Sequence, residues 1–269
     1  MKNPFVWIGI LVAGALAVFF WQGGRPEKHT PVAEVERQPM PQPAEAPKVL
    51  YPIPAQAPPP TDEAATETPT TEPATPLPEL EDSDPLMVDT LARFFPVPRL
   101  DELFVLNNLI KRIVVTIDNL PRKEVPLRLL PTRPTPGSFL VEGEGDNAVI
   151  SPKNALRYAP LVNLFAAVDT SQALAVYIRL YPLFQQAYRE LGYPDGYFND
   201  RLVEVIDHLL ATPEVEQPVR LKPHIQRFRY ADPQLEALSA GQKLMIRIGP
   251  DNAGKIKEKL ADWRQKLTR

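Results

Sequence analysis

Cysteine is absent from the chain, and that one absence removes thiolate zinc sites, iron–sulfur ligation, thiol nucleophiles and disulfides together. A globular part of about 185 residues needs no covalent staples, so the lack agrees with an oxidising compartment without requiring one. Histidine is nearly absent too. Of the three present, only His208 and His224 lie in the C-terminal two thirds, so a metal site there would have to be rich in carboxylates. Serine is scarce, leaving Ser138, Ser151, Ser171 and Ser239 as the candidate nucleophiles within residues 85–269. Ser151 and Ser171 read better as helix starts, so hydrolysis through a Ser–His pair is poorly served. No G-x-x-x-x-G-K-[ST], G-x-G-x-x-G or G-x-S-x-G pattern and no repeat occurs, which argues against a nucleotide fold. Gly143 and Gly145 flank an acidic residue, Glu144, so their loop repels phosphate and its glycines serve a turn.

What is abundant is proline. There are 33 prolines against 12 glycines, and 18 of the prolines fall between Gln22 and Leu100. Charge divides at the same place. Residues 1–84 hold five Lys/Arg against twelve Asp/Glu, and residues 85–269 hold 25 against 21. A surplus of four over so long a stretch is too slight for a nucleic-acid-binding face.

Phe5 to Trp21 is a run of seventeen residues without a charge, preceded by Lys2 and followed by Arg25 and Lys28. As a helix it is about 25 Å long, enough to cross a bilayer narrowly. A cleaved signal peptide also begins this way. Here, however, the run ends in Phe19-Phe20-Trp21 rather than in small residues, and Trp7 and Trp21 sit where interfacial anchors belong. The expectation is a retained anchor over residues 1–24, with the N-terminus in the cytoplasm. Gly9, Ala13 and Ala17 form one stripe of small residues, a weak homodimer contact of the kind membrane helices use.

Residues 25–84 contain fifteen prolines, each of which removes a backbone donor and fixes φ, so a disordered or polyproline-like linker is expected. Thr61 to Asp84 has eight acidic residues and no basic one, which keeps it solvated. The linker reads as a passive spacer, as a ligand for a proline-binding groove, or as a reach toward another layer.

From residue 85 to 269 the pattern predicts one mainly α (α+β) domain, with six or seven helices and one or two small β-hairpins. Ser83-Asp84-Pro85 opens the first helix, and Arg99–Asn119 forms the second, stopped by Pro121. Residues 122–137, with four prolines and a net charge of +3, read as an irregular exposed loop. Phe139–Val141 and Ala148–Ile150 read as a hairpin. Ser151-Pro152 and Asp169-Thr170 start helices, and Pro182 is expected to kink or divide the second. Phe198–Leu210 is amphipathic, 219–221 and 225–230 read as short strands, Asp232-Pro233 starts a helix to about Ile248, and Pro250 starts the last.

Two clusters on this domain invite chemistry. Asp200, Glu204 and His208 recur every four residues with Asp207 beside them, a row able to bind a cation or move a proton, or simply a solvated helix face. Tyr177, Tyr181 and Tyr188 share a helix face, and Tyr193 and Tyr197 follow in the turn Gly192–Tyr197. These rings either line a groove or edge the core. Asn199 is expected to cap the helix after it.

Four stretches resemble a bacterial family, domain of unknown function 3014. They are Asn108–Arg112 through Asp118–Arg122; Phe139–Gly145; Tyr197–Arg201 through Asp207–Leu210; and Leu238–Lys243. The resemblance implies one domain over roughly 100–260, an N-terminal anchor and a bacterial source, and brings no activity, cofactor or catalytic residue with it. The expectation is therefore a single-pass inner-membrane protein held by residues 5–21, with a periplasmic binding or scaffold module for an envelope protein or cell-wall partner. Its candidate binding face is Tyr193, Tyr197, Asn199, Asp200, Arg201, Glu204, Asp207 and His208. No cofactor or metal and no nucleic acid is expected. The alternative is an enzyme acting on an envelope polymer with Glu204 or Asp207 as base.

Overall fold

In a computed structural model the chain is described over residues 48–54, 76–92, 97–224 and 227–269. The anchor over 5–21, its Gly9/Ala13/Ala17 stripe and most of the proline-rich linker lie outside the described residues. Nine α-helices occur among those described: α1 (Asp84–Ala92), α2 (Val97–Leu103), α3 (Leu109–Asn119), α4 (Lys153–Ala166), α5 (Thr170–Glu190), α6 (Phe198–Leu210), α7 (Pro233–Glu236), α8 (Ala240–Arg247) and α9 (Pro250–Leu267). Two antiparallel pairs accompany them, β1 (Val141–Glu142) with β2 (Val149–Ile150), and β3 (Leu221–His224) with β4 (Arg227–Tyr230). The fold is mainly helical.

The helices owe their places to stripes of apolar residues at 3- and 4-residue spacing, which turn to one side and must be covered. From α3 these are Ile110, Ile113, Val114 and Ile117; from α6, Leu202, Val205, Ile206 and Leu209; from α9, Ile256, Leu260, Trp263 and Leu267, all buried in one core. Helix α9 packs against α4, α5, α6 and α8, and α3 packs against α5 and α6. Each fully buried aliphatic or aromatic side chain of this set contributes about 1.5–3 kcal/mol. A smaller cluster of Ala148, Ile150, Val219, Leu221, Tyr230 and Ile246 joins the two hairpins to α8.

Several boundaries differ from those the sequence predicts. The stretch Arg99–Asn119 is two helices, because the chain leaves the helical path after Leu103. Phe104 bridges to Thr132, and Asn108 adopts a left-handed φ of 52°. Loop 122–137 is only partly exposed, since Val125, Leu130 and Thr132 are buried. Pro182 does not divide α5, which runs unbroken from Thr170 to Glu190 with Asp169 accepting from the Gln172 amide at its start. The segment from Asp232 to Ile248 divides at Ser239, whose hydroxyl and the Gln242 side chain form a capping box that begins a new helix. Gly143 and Gly145 have φ of +79° and +56°, the turn role expected of them.

The packed unit also reaches further toward the N-terminus than residue 85. Leu80 is buried and Leu77 packs on the helical core, as do Tyr51 and Ile53 from the middle of the proline-rich stretch. Residues 48–54 and 76–84 are thus held against the domain, because isolated apolar side chains between the prolines find a surface there. No single helix among the described residues is long and apolar enough to cross a membrane.

Candidate functional site

Helix α6 divides the expected binding face between two flanks, with Glu204 exposed on the ridge between them. On one flank Arg201 reaches α3. Its Nε donates to Asp118 Oδ1 at 3.0 Å, its Nη2 to the Asp118 carbonyl at 2.7 Å, and its Nη1 lies 2.9 Å from Glu204 Oε1. Arg122 Nη2 donates to the other Asp118 oxygen at 2.6 Å and to the Tyr193 hydroxyl at 2.8 Å, while that hydroxyl lies 3.2 Å from the same carboxylate as a donor. The Asp118 side chain is only 3% exposed, against 16% for Arg201 and 52% for Arg122. A buried carboxylate thus carries two guanidinium groups and a phenol, with one bond on Oδ1 and two on Oδ2.

The electrostatics follow. Burial acts to lower the Arg201 pKa, but its bond to Glu204 and the charges of Glu204 and Asp118 outweigh it and the pKa rises. Tyr188 stacks on Tyr193 with ring centres 4.6 Å apart. Burial, reinforced by the Asp118 charge, pushes the Tyr188 phenol up to about 12, so it keeps its proton throughout the physiological range.

On the other flank Asp207 is bound by the Arg264 guanidinium of α9, with Nη2 to Oδ2 at 3.1 Å. Asp200 faces residues 48–54 instead. His208 sits 2.8 Å from the Ser239 hydroxyl. That hydroxyl already accepts the Gln242 amide at 3.1 Å, which leaves its proton free for an unprotonated Nε2. Burial and the nearby Arg201 charge lower the His208 pKa against the pull of Glu204. Among the described residues no group of three His, Asp or Glu side chains is placed to hold a metal ion.

The tyrosines separate likewise. Tyr177 and Tyr188 are buried core residues and Tyr181 is half-buried, and Tyr177 meets Tyr181, Phe184, Phe198 and Trp263 at 5.7–6.4 Å between ring centres. They edge the core rather than line a groove. Tyr197 stands just before α6 and gives its carbonyl to the Arg201 amide; it joins neither flank. Asn199 does not cap α6. It is buried beneath the helix start, accepting from the Tyr177 hydroxyl at 3.1 Å. The first α6 amide is satisfied instead by Gln185, whose Oε1 accepts from Phe198 N at 2.9 Å while its Nε2 donates to Gly196 O at 2.7 Å. Gln185 therefore fixes the turn that carries Tyr193.

The family profile described as Protein of unknown function (DUF3014) matches residues 109–264. The chain belongs to this family. No curated protein and no solved structure matches the chain. The DUF3014 span opens at Leu109, the first residue of α3, and closes at Arg264 in α9. It therefore contains Asp118, Arg122, Tyr193, Arg201, Asp207 and Arg264, the members of both flanks, while residues 48–54 lie outside it.

Proposed function

We propose that this protein is a single-pass inner-membrane protein, anchored through residues 5–21, whose helical domain is a periplasmic binding or scaffold module for an envelope partner. The observation that carries the binding reading is the state of the carboxylates on and around α6. Asp118 is held by two arginines and a tyrosine, Asp207 by Arg264, and Glu204 by Arg201. A general base needs a carboxylate within reach of a substrate proton and not already committed to a guanidinium, and the proposed enzyme bases Glu204 and Asp207 are both committed. What the same network supplies is a rigid polar surface. Arg122, Tyr193 and Glu204 present their outer edges to solvent on a frame fixed from below by Asp118, Arg201 and Gln185. Pre-ordered arginine and tyrosine side chains lose little entropy on contact with a partner, which is why they concentrate binding energy.

Replacing Arg122 and Glu204 together by alanine in the full chain tests this. Both side chains are more than half exposed, so the helical circular dichroism spectrum and melting profile are expected to persist. Crosslinking in intact cells is expected to lose the partner seen with the wild-type chain. A double variant that keeps the same crosslinked partner sinks the assignment of this face.

A further inference from the structure

Residues 48–54 read Lys-Val-Leu-Tyr-Pro-Ile-Pro, and their main chain is gripped by the first turn of α6. Asp200 accepts two consecutive backbone amides, Leu50 N on Oδ2 at 3.0 Å and Tyr51 N on Oδ1 at 2.7 Å. Beside it, Asn199 Nδ2 donates to the Tyr51 carbonyl at 2.8 Å. Both main-chain polar groups of Tyr51 are thus read by side chains rather than by another strand. Pro52 and Pro54 bring no such demand, since neither has an amide hydrogen.

The Asn199 side chain is oriented from behind by the core. Asn199 is 1% exposed and its oxygen is fixed by the hydroxyl of Tyr177, itself 2% exposed, so the amide nitrogen points at the segment. An amide buried to that degree is costly to leave without an acceptor. Leu50 keeps 70% of its surface in solvent, so its position is set by the bond to its amide and not by burial of its side chain. Each residue before a proline is confined to extended conformations, so Tyr51 and Ile53 fall on the same side of the chain. Both pack on the helical core while Pro52 between them is exposed.

We propose that the start of α6 is a recognition site for an extended peptide of the pattern aliphatic–Tyr–Pro–aliphatic–Pro, and that residues 48–54 occupy it as an intramolecular ligand. The specificity has three parts: two adjacent amides for the Asp200 carboxylate, a carbonyl for Asn199, and two apolar side chains spaced by a proline for the core edge. The site shares no residue with the Arg122/Tyr193/Glu204 surface, so its test stands apart from that of the proposed function.

The experiment uses the full chain in detergent micelles and a fluorescent peptide with the sequence of residues 46–55. A tether variant, Tyr51→Ala with Ile53→Ala, empties the site; a second variant adds Asp200→Ala. The tethered segment competes at an effective concentration on the order of millimolar, so the peptide is expected to bind the tether variant at least tenfold more tightly than the wild type. Adding Asp200→Ala is expected to weaken that binding at least tenfold. Absence of saturable binding to a tether variant that melts like wild type overturns the proposal, and so does equal binding to both. Hydrogen exchange on the wild-type chain reads the contact without relying on the tether variant. The Leu50 and Tyr51 amides are expected to be protected, and to lose that protection in Asp200→Ala alone while α6 amides keep theirs. Unprotected amides at both positions in the wild type overturn the intramolecular ligand.

Discussion

Arg201 closes on Asp118 across 83 residues of chain, with one bond to the carboxylate and one to the carbonyl of the same residue. The pair ties α6 to the end of α3 and places Arg122 and Tyr193 on the second carboxylate oxygen. Asp118 is the member that cannot be spared. Its removal leaves Arg201, largely covered, with only the exposed Glu204 as counter-charge, and a broken buried ion pair costs roughly 3–5 kcal/mol. Discounting for the solvent that reaches Arg122, Asp118→Ala is expected to lower the unfolding free energy by about 2–4 kcal/mol in urea titrations. Arg122→Ala removes the exposed partner and is expected to cost about 1 kcal/mol or less. Equal losses for the two substitutions would contradict this ordering.

Gly241 marks a second close approach. A Cβ there would lie 2.7 Å from Leu209 Cδ2 and 3.0 Å from the Leu120 carbonyl, which also accepts the Gly241 amide at 2.9 Å. The start of α8 thereby closes over the end of α3, with the Ala240 amide on the Arg122 carbonyl at 2.7 Å. Gly241→Ala must push backbone as well as side chain and is expected to destabilise by about 1–3 kcal/mol. Gly254, in the second turn of α9, would meet nothing within 4 Å. Gly254→Ala is expected to stabilise by about 0.5–1 kcal/mol, since alanine restricts the unfolded chain and favours helix. Melting both variants beside the wild type decides between them.

The His208 environment gives a pH dependence with a definite sign. Its folded pKa is lowered, mainly by burial and then by Arg201, so the unfolded chain takes up the proton first. The stabilisation from His208 is complete above the unfolded value of about 6.5 and is lost as pH falls from there through the folded pKa. In His208→Gln this loss is absent. The difference in unfolding free energy between wild type and variant is expected to shift against the wild type as pH is lowered from 7.5 below 6. A difference that stays flat over that range would show that His208 titrates alike in both states.

How much of this was legible in the sequence depends on how local each determinant is. The amphipathic run Phe198–Leu210, Asp169 before α5 and Pro250 at the start of α9 are set by neighbours within one or two turns, and the predicted elements coincide with the observed ones. The break before Ser239 also had a local sign, serine followed three residues later by glutamine, overshadowed by the stronger Asp232-Pro233 signal. Asp118 had little. Its i,i+4 relation to Arg122 was readable, but Tyr193 and Arg201 come from 75 and 83 residues away, and no periodicity encodes such a meeting. Asn199 misled for the same reason: its local position suits a cap, and only the fold brings Tyr177 and Tyr51 to it. The proline count around Tyr51 describes the average of a stretch, whereas docking depends on two apolar side chains within it.

Asp84 repeats the geometry of Asp200 inside the domain. Its two oxygens accept Asn108 N at 2.7 Å and Leu109 N at 3.0 Å, the amides that open α3. That helix has no side-chain cap of its own, because Asn108 stands in the left-handed region. A residue at the boundary of the proline-rich stretch therefore caps, from 24 positions away, the helix that carries Asp118. Loss of an N-terminal cap costs about 0.5–2 kcal/mol, and Asp84→Ala is expected to fall in that range. Asn108→Gly relieves the left-handed backbone but loosens the unfolded chain, so the two effects oppose and a change within about 0.5 kcal/mol is expected. Denaturant unfolding of the two single variants checks both values. Hydrogen exchange at Ile110 and Lys111 then separates the mechanisms: faster exchange there in Asp84→Ala, with α9 amides unchanged, is the signature of a lost cap, and a uniform acceleration throughout the domain would instead assign Asp84 to global packing.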